Sequence, residues 1–205
     1  GDLISSLMVR QYELVKKYVE NPVFCTNLYG ETMELYQQGF LTLPEDVITI
    51  WADNGYGKMV SRRQGNHNPR VPALPPAELR DGNHGTYYHV SFYDLQAANH
   101  ITMLPNSMEF VEKELKIAYD CGIKSLWVVN CSNVKPHVYP LDFIGNLWRG
   151  NSLTAEEHRR QYVESYYAYG QRIDGNDFLE SLQDLFEAYF DCTVPYGNEE
   201  DERAG

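Results

Sequence analysis

Basic charge is scarce in this chain of 205 residues: 17 Lys and Arg stand against 29 Asp and Glu, a formal net charge of −12. Nucleic acids and anionic membranes are bound through an excess of cations, so neither is expected as a partner. Cysteine is scarce too. Cys25, Cys121, Cys131 and Cys192 show neither C-x-x-C spacing nor the density of a disulfide scaffold, which argues against zinc clusters and for buried free thiols. No run approaches the roughly 18 apolar residues of a membrane span, and Gly1-Asp2-Leu3 does not open a signal peptide. The compartment is therefore left undetermined. A Gly-x-Ser-x-Gly elbow and a Walker-type loop are both missing, which sets esterase and nucleotide chemistry aside. His67, His84 and His89 form no helical H-x-x-x-H pair, so no metal and no other cofactor is expected.

What is present is a foldable composition. At 43% hydrophobic and 22% charged residues, the chain has enough apolar material for a real core. The 16 tyrosines among 13% aromatic residues offer flat apolar faces with polar edges, suited to sugar rings, although tyrosine also packs in this way for purely structural reasons.

Leu3, Leu7, Leu14 and Tyr18 share one helical stripe, predicting an amphipathic helix that ends near Asn21-Pro22. Val23 to Thr26 reads as a short buried strand, Glu31 to Gln38 as a helix ended by Gly39, and Val47 to Trp51 as a β-rich run. From Gly55 to about Gly85 no period survives, and a loop of such length is commonly functional. Thr86 to Phe92 then reads as a strand. A helix capped by Asn106 or Ser107 and stopped by Gly122 follows, and Leu126 to Asn130 is a further buried strand. Strands alternating with helices, and apolar throughout, imply parallel pairing through crossover connections. About four strands are visible, half of an eight-stranded barrel.

After Gly150 the composition turns to Glu, Tyr and Leu at helical spacing, with Ser152 and Thr154 as caps. The expected organisation is α/β: part of a (β/α)8 TIM-type barrel over residues 1–150, a helical segment over 151–197, and a disordered acidic tail over 198–205.

Three segments carry a family resemblance. The first runs through Leu28-Tyr29-Gly30-Glu31, Tyr36, Gly39, Leu43-Pro44-Glu45-Asp46-Val47 and Trp51-Ala52-Asp53-Asn54-Gly55-Tyr56-Gly57. The second is Gly82-Asn83-His84-Gly85-Thr86-Tyr87-Tyr88-His89-Val90-Ser91, and the third Asn130-Cys131-Ser132-Asn133-Val134-Lys135-Pro136. In this order and spacing, over about residues 3 to 150, the chain resembles the barrel of family 115 glycoside hydrolases, of the α-glucuronidase type. The resemblance implies an exo-acting, inverting enzyme that removes glucuronic acid or its 4-O-methyl ether from xylan side chains. It also implies a longer, multidomain parent in which the upstream half of the barrel precedes this chain, so that the rest of the parent or a second copy completes the fold. The departures are specific. Family members more often carry Asp at the position of Asn54, Asn at Gly55, Gly-Asp at Ser132-Asn133, and Glu at Val138. Acidic positions are thus neutral here, which leaves open a divergent hydrolase of another acidic glycan or a non-catalytic carbohydrate-binding relative.

Inversion at a glycosidic bond needs one carboxylic acid and one carboxylate. Asp53 follows a strand and is the first candidate; Glu31, at a helix entry, is the second, and Asp94 a third. Each also has a plain structural reading, as a loop cap or a helix N-terminal charge. Candidate sugar-binding residues are Trp51, Asn54, Tyr87, His89, Asn130, Asn133, Lys135 and His137, whose rings, amides and cations suit hydroxyls and a uronate carboxylate. From Lys58 to His89, five basic residues (Lys58, Arg62, Arg63, Arg70, Arg80) face two acids, a local excess that fits an anionic ligand.

Overall fold

In the computed structural model, the described residues are 1–61, 71–91, 93–94, 98–99, 106–168 and 175–192. Arg62, Arg63, His67, Arg70 and the tail from 198 onward lie outside them, as does the side chain of Asp94. The chain divides into two compact units, one comprising Gly1–His89 and Leu115–Asn130, the other Val90–Glu114 and the residues from Cys131 onward.

The first unit is built on a parallel four-stranded sheet in the order β1-β2-β3-β6, made of β1 (Cys25–Leu28), β2 (Ile48–Ala52), β3 (His84–His89) and β6 (Leu126–Asn130). This parallel α/β architecture, expected from the apolar strands, is that of part of a TIM-type barrel. The middle strands β2 and β3 are buried almost throughout, whereas β1 and β6, at the two edges, are half-buried. Position in the sheet decides this, since a central strand is covered by neighbours on both sides. The first strand lies two residues later than its apolar run suggested: Val23 is exposed, and pairing begins at Cys25↔Ile48. A shift of two preserves which side chains share a face.

Helix α1 (Asp2–Lys16) stops before the expected Asn21-Pro22 and has no buried residue; Leu3 is 73% exposed. Its apolar stripe thus finds no cover within the described residues. Helices α2 (Glu31–Gln37) and α3 (Met108–Asp120) end in the same way. Gly39 and Gly122 take φ of 77° and 99°, and the amides after them, Phe40 N and Ile123 N, reach back to Leu35 O and Ala118 O at 2.8 and 3.1 Å. This closure needs a left-handed residue, which glycine supplies without a Cβ clash. Of the two cap candidates for α3, Ser107 is the one used: its Oγ accepts from Phe110 N at 3.3 Å.

The second unit holds a short antiparallel pair, β4 (Tyr93–Asp94) with β5 (Ala98–Asn99), and the helices α4 (Val138–Trp148), α5 (Ala155–Tyr167) and α6 (Gly175–Asp191). Helix α4 was not expected. Pro140 and Gly145 break its pattern, and Pro140 is tolerated because it falls in the first turn, where its missing N–H has no intrahelical partner to lose. Thr154 caps α5 through a reciprocal box with Glu157, whose carboxyl is held below its ordinary range by the Thr154 backbone N–H first and its hydroxyl second. No described helix is long and apolar enough to cross a membrane. The cysteines are not buried: Cys25 and Cys192 are exposed, and Cys121 and Cys131 are intermediate. Strand-edge and helix-end positions, rather than core positions, account for this.

At Gly122 a Cβ would lie 2.3 Å from the carbonyl oxygen of Arg80, in addition to the unfavourable φ. Gly122→Ala is expected to lower the free energy of unfolding by about 2–4 kcal/mol, read as an earlier midpoint in chemical denaturation. An unchanged midpoint would show that this close approach relaxes without cost.

Candidate active site

Asp53 is the first residue past β2, and the chain bends there because two adjacent side chains cap the turn that follows. Asp53 Oδ1 accepts from Gly55 N at 2.9 Å and Oδ2 from Gly57 N at 2.8 Å. Asn54 Oδ1 takes the alternate amides, Tyr56 N at 3.0 Å and Lys58 N at 3.2 Å. Four successive N–H groups are thereby satisfied by two short polar side chains. Gly55 and Gly57, at φ 92° and 83°, supply the backbone shape this alternation needs. The amide oxygen of Asn54 accepts as a carboxylate oxygen does, so Asn in place of Asp leaves this turn intact.

The same carboxylate reaches β3. Asp53 Oδ2 also accepts from His89 N at 3.0 Å, and Oδ1 is hydrogen-bonded to His89 Nδ1. An ionised carboxylate only accepts, so Nδ1 is the donor in this bond. Asp53 is 0% and His89 2% exposed. Both Asp53 oxygens are thus committed to two partners each inside the protein.

Beside this pair, on the half-buried side, Tyr87 meets the His89 ring edge-on with centroids 4.8 Å apart. Its hydroxyl accepts from Asn130 Nδ2 at 3.0 Å. The parallel register explains the meeting: His89 is paired with Asn130 and Ala52 with Tyr87, so the C-terminal ends of β2, β3 and β6 come level. Parallel α/β folds carry their sites at this end. Glu31 follows the same end of β1, exposed on the first turn of α2.

Trp51 lies deeper than a sugar platform would. It is fully buried, packs edge-on against Tyr36 at 5.8 Å, and donates Nε1–H to His84 Nδ1 at 3.2 Å. His84 Nε2 in turn donates to Leu79 O at 2.5 Å, tying β2, β3 and the short 3-10 turn Ala77–Leu79 together. Its part in the structure was missed in the sequence, where a His at a strand start gives no sign of its partners.

Asn133, Lys135 and His137 belong to the second unit. Asn133 and Lys135 are exposed, whereas His137 is buried and donates Nδ1–H to Asn133 O at 2.6 Å within its own 3-10 turn. Ser132, just before them, has φ of 53°, a left-handed conformation uncommon for a residue with a side chain. Of the five cations in the basic stretch, Lys58 and Arg80 fall among the described residues. Among those residues no group of three or more His, Cys, Asp or Glu is arranged to hold a metal ion.

Asp53→Ala leaves three buried N–H groups and the His89 ring without their acceptor, and is expected to destabilise the protein by about 3 kcal/mol or more. Asp53→Asn, which turns an NH2 toward donors, should lie between that variant and the wild type in thermal melting. Equal melting of all three would disprove the capping role.

Comparison with known proteins places this geometry in context. One solved structure, described as a novel family GH115 4-O-methyl-α-glucuronidase, BtGH115A, with specificity for decorated arabinogalactans, matches with a TM-score of 0.68 at 23% identity. The match covers 95% of this chain and 26% of that one, so the chain spans about a quarter of its structural neighbour, and the likeness bears on the fold. No curated protein sequence matches. The family model described as glycosyl hydrolase family 115 matches residues 1–194, and the chain belongs to that family.

Proposed function

We propose that this chain forms part of a glycosidase of the α-glucuronidase type, releasing glucuronic acid or its 4-O-methyl ether from a glycan. The family match over residues 1–194 carries this reading. The polar cluster at the C-terminal ends of β2, β3 and β6 supports it. Xylan side chains are the substrate proposed first, in exo fashion and with inversion. The neighbour's specificity for decorated arabinogalactans makes that glycan the natural second substrate to assay.

The roles divide by exposure. Tyr87 and Asn130, half-buried, are the groups that would touch sugar hydroxyls; with its oxygen accepting from Asn130, the Tyr87 hydroxyl keeps its own O–H as a donor. Asp53 acts as a positioning residue, fixing the orientation of the His89 ring and the β2 turn, as a carboxylate does for imidazole elsewhere. Glu31, exposed beyond β1, is the carboxyl with oxygens accessible to solvent and is assigned the acid/base role. Asn133 and Lys135 remain candidates for a uronate carboxylate. Residues 1–150 are taken as the barrel portion, 151–197 as a helical segment and 198–205 as a tail. The uncovered stripe of α1 and the half-buried edge strands support completion by further chain or by a second copy.

A second reading, a non-catalytic carbohydrate-binding relative, is favoured by one observation: both oxygens of Asp53 are engaged within the protein. The full-length protein, incubated with glucuronoxylo-oligosaccharides and with glucuronate-decorated arabinogalactan, should release uronic acid. Glu31→Gln should lower kcat by about 10²–10⁴-fold with melting unchanged. Calorimetric binding without release would favour the second reading, and neither binding nor release would sink both.

A further inference from the structure

The second unit contains a buried titratable pair that the sugar-site reading does not use. His158, at the start of α5, is 2% exposed and hydrogen-bonds through Nε2 to Asp142 Oδ2 of α4 at 2.7 Å. Its ring lies among Phe143, Tyr139 and Tyr162, with centroids 5.0, 5.3 and 5.9 Å away. Phe186 of α6 packs onto Tyr139 and Tyr162 at 4.7 and 5.9 Å, extending the aromatic cluster to the third helix. Nδ1 of His158 is buried and has no hydrogen-bond partner among the described residues. Asp142 is the charged group in contact with the ring. Burial pushes the Tyr162 phenol up to about 12 and raises that of Tyr139 as well, so both stay neutral through the acidic and neutral range. The neighbouring Arg159 is engaged by Glu187 of α6 at 3.0 Å and by Glu109 of α3 at 4.0 Å.

We propose that the His158–Asp142 pair is an acid-sensitive latch between α4 and α5, closed while the imidazole is neutral and loosened when it takes a second proton. In the neutral ring Nε2–H donates to Asp142 and Nδ1 is a buried acceptor, which an aromatic enclosure tolerates. In the cation Nδ1–H becomes a buried donor facing aromatic carbon, and a half-solvated Asp142 offsets only part of the charge. Burial is the largest influence on this group and lowers its pKa from the ordinary 6.5; the hydrogen bond and charge of Asp142 oppose it and lose. The unfolded chain therefore takes up the proton more readily than the folded one. Stability from the neutral pair is fully present above about pH 6.5 and is lost as pH falls through the lower folded-state value.

Native-state hydrogen exchange on the whole chain, from about pH 7.5 to about 4.5, tests the latch through protection factors corrected for intrinsic exchange. The wild type should lose about tenfold in protection at α4 and α5 amides for each unit by which the folded value lies below 6.5. His158→Phe keeps every carboxylate and fills the same aromatic space, so its loss should be smaller by that factor. Asp142→Asn removes the counter-charge and should enlarge the loss. A His158→Phe protein that follows the wild-type pH dependence overturns the proposal; should that variant not fold, an Asp142→Asn protein that follows it does the same.

Discussion

The Asp53 carboxylate is the point on which the sheet end depends. It sits where β2 leaves the sheet, and its two oxygens gather the amides of Gly55 and Gly57, the amide of His89 and the His89 ring. A buried carboxylate is costly unless each oxygen is hydrogen-bonded, and these four donors meet that requirement. In return these bonds fix the turn after β2, the end of β3 and the orientation of the imidazole. Tyr87 and Asn130 inherit their positions from that arrangement, since the register of β3 with β6 is set by the same strand. The likeness to family 115 thus has a physical expression: the residues of its motifs here build one hydrogen-bonded corner.

The helical unit solves a comparable problem differently. His158 is enclosed by aromatic rings and satisfied on one nitrogen, with the charge of Asp142 partly in solvent. At the sheet end the donors to the buried carboxylate are three backbone amides and one imidazole nitrogen. Around His158 side chains alone do the work, and the packing of α4 against α5 is tied to the state of one ring. His89 thus meets a fully engaged, buried carboxylate, whereas His158 meets a partly solvated one and is otherwise enclosed by aromatic rings.

Much of the fold was legible in local pattern. Apolar runs predicted parallel strands, Gly39 and Gly122 marked helix ends because only a residue at home at positive φ closes a helix that way, and Ser107 and Thr154 marked helix starts. Helix α4 escaped because Pro140 and Gly145 mask a helical period, and β4 and β5 are too short to show alternation. The α1 stripe was read correctly as a helix face, but its burial depends on what packs against it, and no local period encodes that. Within the site, Asp53 and His89 were each visible as polar residues near strand ends. That they share a hydrogen bond across 36 positions was not visible.

The sequence by itself determined the alternation of strands and helices, the caps and stops, the excess of acidic charge, and the family motifs, because each of these is written in residues near one another along the chain. Tertiary structure decided that Asp53 is spent on His89 and the turn amides, that Trp51 serves the core through His84, and that Tyr87 meets Asn130. Those outcomes rest on the register of parallel strands, which brings residues 33 to 43 positions apart into contact. Hydrogen bonds at that range follow from how strands pair, and strand pairing is a property of the folded sheet.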